Sequence, residues 1–197
     1  MNSGMRVEPE ILRGEGVRLE PLQLDHANGL YNRARSGADW DYMPRAAFVD
    51  IADTRQWIEE AVTTPNQLAY AIVETGKDRV VGSTRYLNIR PEHRSLEIGW
   101  TWLGQEWQRT GVNTEAKLLL LAKAFDRCGC VRVEFKTDAR NLRSQRALER
   151  IGATREGVMR NHMIVQGGFV RDSVYFSIID REWPRVRERL QTLRDRS

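Results

Sequence analysis

Strand-like stretches recur along the chain, rich in β-branched and aromatic residues. Between them lie runs whose apolar residues fall at helical spacing. The strand-like stretches are residues 17–22 (VRLEPL), 68–74, 79–88, 96–103, 131–137 (VRVEFKT), 154–165 and 169–179. In VRLEPL, Arg18 and Glu20 fall on one face and Leu19 on the other. Thr75-Gly76-Lys77-Asp78 reads as the turn between the second and third strands, and Gln166-Gly167-Gly168 as the turn of a last hairpin. Helical spacing predicts a short helix carrying Leu30 and Tyr31, capped by Asp25. A second helix starts at Asp50 or Asp53, carries Trp57, Ile58 and Val62, and ends at Pro65-Asn66. A third runs from about Asn113 to Arg127, and a fourth over residues 142–151 is closed by Gly152. Asp180 begins a fifth, with Pro184 in its first turn, where no donor is lost. Residues 1–16 read as a loose lead-in. Trp40-Asp41-Tyr42-Met43-Pro44 reads as an aromatic loop that Pro44 keeps from being helical. The pattern of about seven strands and about five helices, strands dominating the middle, predicts one α+β (mixed α/β) domain spanning residues 1–197, with its core at about 16–190.

Composition narrows the function classes. The chain is 41% hydrophobic and 29% charged, as in an ordinary globular protein. No apolar run is long enough to span a bilayer, and residues 1–13 lack the apolar core of a signal or anchor, so a cytoplasmic protein without a membrane partner is expected. The only cysteines, Cys128 and Cys130, are separated by one residue. That spacing strains a disulfide, and no further ligands stand nearby for zinc. None of His26, His93 and His162 has metal spacing, so no metal is expected. Net charge is +4, with arginine supplying all but four of the 31 basic residues. The charges are spread along the chain except in the last helix, whereas a nucleic-acid surface concentrates them beside aromatics, which argues against that partner.

One stretch carries chemistry: LEIGWTWLGQEWQRTGVNTEAKLLLL, residues 96–121. A strand feeds a helix through a polar turn ending in Gly111. That places free N–H groups at the positive end of the helix, where an anion is received. Gly111 has no side chain to block its approach, and Arg109 adds a cation. On spacing alone, an ordinary strand–loop–helix connection fits equally well.

The residues themselves go further. Gln108-Arg109-Thr110-Gly111-Val112-Asn113 resembles the pyrophosphate motif Q/R-x-x-G-x-G/A of the GNAT superfamily of N-acetyltransferases. Glu97-Ile98-Gly99-Trp100 resembles that family's central strand. Asn141 to Ser144, followed by Ala147 to Ala153, resembles its later motif N-x-x-S-x-x-x-x-E-x-x-G. Order and spacing are similar to those of the branch typified by the ribosomal-protein N-terminal alanine acetyltransferases, over roughly residues 16–190. Two positions depart from the family: Asn113 stands where Gly or Ala is usual, and Leu148 where many members carry a general-acid tyrosine.

The resemblance implies a mostly antiparallel seven-stranded sheet flanked by helices, splayed between the fourth and fifth strands. It implies acetyl-CoA as cofactor and transfer of its acetyl group, by direct attack in a ternary complex, to a primary amine, either a protein N-terminus or a small molecule. A non-catalytic CoA-binding or regulatory module is the alternative. In this reading the N–H groups of Gly111, Val112, Asn113 and Thr114, with Gln108, Arg109 and Thr110, hold the pyrophosphate. Thr101, Trp102 and Leu103 line the pantetheine arm. Asn141 bonds the cofactor beside the splay, with Arg143 and Arg146 near its phosphates. Glu97, expected on one strand face with Gly99 and Thr101, is the candidate base; the other reading is a structural carboxylate paired with an arginine. Ser144 is the remaining candidate acid. Trp40, Tyr42, His162 and Asp172 are expected around the acceptor, and a homodimer is what many relatives form.

Overall fold

The computed structural model describes residues 4–34 and 40–196. Its centre is an eight-stranded sheet in the order β1-β2-β3-β4-β5-β6-β8-β7. The strands are β1 (Leu12–Arg13), β2 (Val17–Pro21), β3 (Leu68–Glu74), β4 (Arg79–Arg90), β5 (Ser95–Leu103), β6 (Arg132–Asp138), β7 (Thr154–Ile164) and β8 (Val170–Ile179). Every pairing is antiparallel except β5 with β6. That exception follows from the chain: β5 and β6 are joined by a helical crossover, the connection that parallel neighbours require.

The helices are α1 (Ala27–Arg33), α2 (Ile51–Thr63), α3 (Val112–Ala122), α4 (Leu142–Ile151) and α5 (Trp183–Asp195). One sheet face packs against α3, α4 and α5 through Leu96, Ile98, Phe135, Leu120, Leu148 and Trp183. Full burial of a residue such as Leu120 contributes roughly 1.5–3 kcal/mol. The other face meets α1 and α2 through Leu30, Trp57, Ile58, Ala71 and Trp102. These two helices touch β3 and β4, whereas the same face of β6 and β8 keeps half-buried polar residues such as Glu134, Lys136 and Tyr175. Among the described residues no helix is long and apolar enough to cross a membrane.

Several element ends follow local rules. Asp50 caps α2 by accepting the Asp53 N–H at 2.7 Å, so the helix starts from the first of the two aspartates. Gly152, at φ 98°, closes α4. Asp25 is no cap: it lies inside a short 3-10 turn, where Gln23 N–H donates to His26 Nδ1 at 3.0 Å. The helix α3 runs on through a π-turn at Lys123–Arg127.

The expected loose lead-in is tied down along its described length. Leu12 and Arg13 form β1, which makes the sheet eight-stranded where seven strands were expected, and Met5 is buried against Cys130. Buried Lys123 holds Glu10 at 2.7 Å and the Glu8 carbonyl. Glu115, buried on α3, accepts the N–H groups of Glu15 at 2.6 Å and Gly16 at 3.1 Å. A Cβ at Gly14 would stand 2.3 Å from a Glu115 oxygen. These partners lie about a hundred residues away in sequence, beyond the reach of any local pattern. Cys128 and Cys130 are free, Cys130 fully buried and Cys128 half-buried.

Candidate active site

Strand β5 builds the site by changing partner part-way along. Its pairing with β6 covers Ser95 with Arg132, Leu96 with Val133 and Glu97 with Glu134, and stops there. Beyond Glu97 the strand keeps β4, while β6 continues to Asp138 beside β8. This is the expected splay. An edge without a ladder partner presents backbone N–H and C=O groups. Gln108 Nε2 covers one of them, the Leu103 carbonyl, at 3.2 Å.

A bulge divides the strand's two halves. Arg85 pairs with Gly99 and Ser83 with Trp102, so β5 has one residue more than β4 in that interval. Trp100 absorbs it in a left-handed conformation, φ 49°. The bulge corrects the expected alternation. Glu97 and Gly99 share a face, but Thr101 is turned to the α3 side, where its Oγ1 meets Thr84 Oγ1 and Lys117 Nζ, each at 2.8 Å. Trp100 and Trp102 face the α2 side.

Glu97 sits at the crotch of the splay, 1% exposed. Its Oε2 accepts Asn88 Nδ2 at 2.9 Å and Lys136 Nζ at 3.1 Å. Its counter-ion is therefore a lysine, not an arginine. Its Oε1 is buried without a donor and lies over Gly99, where a Cβ would approach it to 3.0 Å. The polar face continues outward. His162 Nδ1 is 3.0 Å from Ser173 Oγ, and its Nε2 is 3.3 Å from Tyr175 OH. Burial, then the cations of Lys136 and Arg171, push the His162 pKa down against the pull of Glu97, which favours the neutral ring. Burial, then Glu97 and Glu134, push Tyr175 up.

At the other end of the splay, α3 begins at Gly111, the N-cap. Gly111 is right-handed at φ −63°; the left-handed residue of this loop is Arg109, φ 62°. The first N–H to close a helical bond is that of Glu115, to Gly111 O at 2.9 Å. Those of Gly111 to Thr114 precede it, at the positive helix end. Thr110 Oγ1 sits 3.4 Å from the Val112 N–H, and Thr114 Oγ1 accepts Arg150 Nη2 at 3.1 Å. Asn141 caps α4 through its Oδ1, which accepts the Ser144 N–H at 2.9 Å. Arg143 Nη1 donates to Gln108 Oε1 at 2.9 Å, tying α4 to the loop, while Arg146 is exposed. The expected phosphate residues thus gather at the α3 and α4 N-termini. Leu148 is buried in the core.

The expected acceptor residues divide. Trp40 is a core residue, its ring 5.1 Å from Phe48 and 5.3 Å from Trp102. Tyr42 is half-buried beneath the Arg140 guanidinium, which stands 5.6 Å from its ring. Asp172 Oδ1 accepts the Asn161 N–H at 2.7 Å, holding the β7 bulge that carries His162 inward.

Four residues beside these strands were not singled out from the sequence: Asn88, Lys136 and Tyr175 on the Glu97 face, and Lys117 on the α3 side. Lys117 left a signal, a charge inside the apolar run 116–121. It is 6% exposed, and burial pushes its ammonium down to about 7. The other three became neighbours only through strand register.

Comparison with known proteins agrees with this geometry. Residues 17–154 match the family described as Acetyltransferase (GNAT) domain. A GCN5-related N-acetyltransferase from Brucella melitensis superposes with a TM-score of 0.91 at 30% identity, over 97% of this chain and 89% of its own. YdaF of Bacillus subtilis (strain 168), whose name provisionally assigns it to ribosomal N-acetylation, is 34% identical over 96 residues, 49% of this chain and 51% of YdaF. The microcin C7 self-immunity acetyltransferase MccE, solved with acetyl-CoA and AMP, superposes with a TM-score of 0.75 at 25% identity, over 84% of this chain and 93% of its own. With most of its length inside the family match and its sheet splayed at β5, the chain belongs to the GNAT acetyltransferases, acyltransferases whose cofactor is acetyl-CoA.

Proposed function

We propose that the chain, acting as a single domain, transfers the acetyl group of acetyl-CoA to a primary amine that enters over the polar face of β5, β6 and β8. The observation that carries this reading is Glu97, a buried carboxylate at the last paired rung of the splay with one oxygen unclaimed. The residues present fit the cofactor. The α3 N-terminus offers N–H groups that close no helical bond to a pyrophosphate, Arg109 and Arg143 add charge, and the unpartnered β5 edge offers backbone groups to an amide-bearing arm. Bound acetyl-CoA supplies a thioester carbonyl that the amine attacks, forming C–N, breaking C–S and releasing CoA thiol.

An alkyl amine arrives protonated, since its pKa is near roughly 10. Glu97 Oε1 takes that proton, directly or through one water, while Lys136 and Asn88 hold Oε2 fixed. Leu148 leaves no hydroxyl at the family's acid position; a thiolate with a pKa of about 8–9 leaves with little help, and Ser144 is the nearest hydroxyl of that helix turn. His162 and Tyr42 border the acceptor; Trp40 and Asp172 act through the loop and bulge they hold.

The acceptor class, a protein N-terminus or a small amine, follows the branch that the sequence resembles. A cytoplasmic setting and a homodimer belong to the same proposal, and light scattering of the purified chain reads the second directly. The test of the chemistry is release of free thiol from acetyl-CoA across an amine panel, wild type beside Glu97→Gln. Turnover lost in the variant with cofactor binding intact supports the reading. Binding without turnover in wild type, on every amine, makes the chain a CoA-binding module instead.

A further inference from the structure

Among the described residues, most cations packed into the fold have a carboxylate partner. Lys123 meets Glu10, Lys136 meets Glu97, and Arg171 lies 4.0 Å from Asp138. Buried Lys117, held by the Thr101 hydroxyl alone, has none. Arg85 is the other exception. It is 6% exposed on β4, and among the described residues no carboxylate lies within ion-pairing distance of it. Glu60 acts on it only at longer range, and burial pushes its pKa down to about 10, still charged at neutral pH. Its Nε and Nη2 are buried without acceptors. The rings of Trp57 and Trp100 stand 4.5 and 4.7 Å from its guanidinium carbon. A buried charge without a partner is costly, and the rings return only part of that cost.

The position is informative. Arg85 pairs across the ladder with Gly99, so it shares the face of Glu97 and stands two residues along β5 from it, roughly 7 Å. The two orphaned nitrogens are neighbours on one edge of the guanidinium, the edge that makes parallel bonds to a carboxylate. The guanidinium carbon lies over both indole rings, and its single charge matches a monoanion such as a carboxylate on the free edge.

We propose that Arg85 is an anion subsite of the acceptor pocket, and that the amine acetylated at Glu97 belongs to a short-chain amino acid whose carboxylate the Nε–Nη2 edge grips beside Trp57 and Trp100. This rests on the acetyl-transfer reading above and narrows its acceptor. Trp100 is placed for this by the bulge: its left-handed backbone turns the indole to the Arg85 side.

The test compares short ω-amino acids with their carboxamides in the thiol-release assay, using wild type, Arg85→Met and Arg85→Lys. Wild type is expected to favour the acids by roughly 10- to 100-fold in kcat/KM, the worth of a charge-assisted pair. In Arg85→Met that ratio falls to near one, and Arg85→Lys, which keeps the charge but not the fork, retains part of it. Equal use of acids and carboxamides by wild type, or an unchanged ratio in Arg85→Met, overturns the proposal. A second readout needs no turnover: butyrate, with butyramide as control, is expected to raise the melting temperature of wild type and not of Arg85→Met. Should no amine release thiol, the acetyl-transfer reading fails, and the subsite stands on a butyrate shift that Arg85→Met abolishes. Without such a difference between the two proteins, the subsite falls too.

Discussion

Glu97 and Lys117 lie on opposite sides of the same strand and are buried for different reasons. Glu97 is held by Asn88 and Lys136 and keeps one oxygen free. Its replacement by Gln keeps the shape and removes the base. Turnover is expected to fall by roughly 100- to 10,000-fold while acetyl-CoA affinity, read by calorimetry, holds. Full turnover in Glu97→Gln would remove this carboxylate from the chemistry. Lys117 makes one hydrogen bond, to Thr101, and faces the Phe135 ring at 5.9 Å. Folding lowers its pKa from 10.5 to about 7. Between those values the unfolded chain binds more protons, so this group makes stability rise with pH. The burden of the buried ammonium is full below pH 7 and fades towards pH 10. Lys117→Met is therefore expected to gain most on wild type below pH 7, and the gap to narrow as pH rises. Urea unfolding across that range measures it; a constant gap means the lysine titrates as in water.

The elements that matter are those whose ends or irregularities aim a group. The β5 bulge sends Thr101 to α3 and Trp100 to Arg85, and the early end of β5–β6 pairing opens the sheet beside Glu97. At α4 the N-cap is also an expected cofactor residue. Asn141 spends its Oδ1 on the Ser144 N–H, leaving its amide nitrogen for a ligand. Asn141→Ala is expected to cost about 1 kcal/mol, a fall of roughly 2–4 °C in melting temperature for a domain this size. It is also expected to weaken acetyl-CoA. A stability loss with unchanged affinity would leave Asn141 as a cap alone.

For the whole molecule, the cofactor is the most direct probe. Acetyl-CoA at about 100 times its dissociation constant adds roughly 2.7 kcal/mol of stability, several degrees by thermal shift. No shift would show that Asn113 and the rest of the loop do not hold it. Acid acts through the carboxylates that arginine and lysine hold. A hydrogen bond from Lys123 lowers Glu10 and one from Arg132 lowers Glu156, in each case against burial. At Asp138 burial pushes upward but is outweighed by Arg140. Each contributes stability that is present above the ordinary carboxylate pKa and is lost as pH falls through the lowered one. Unfolding by acid is thus expected to steepen below pH about 4 and to leave the neutral range flat. Circular dichroism along a pH series reads it.

The sequence by itself determined the order of the five helices and of seven of the eight strands, most element ends and the gathering of phosphate-loop residues at α3, because periodicity, caps and turn chemistry are local. The closing of α4 at Gly152 and the capping by Asp50 were legible for that reason. The sequence also marked Glu97 as a carboxylate in a strand. It did not determine that strand's faces: a bulge at Trp100 reverses alternation without changing composition. Nor did it show the lead-in anchored by Glu115 and Lys123, or Lys136 beside Glu97, or Arg85 without an anion. Those are matters of ladder register and long-range contact. Charge pairing depends on distance through space, and only the folded sheet sets that distance.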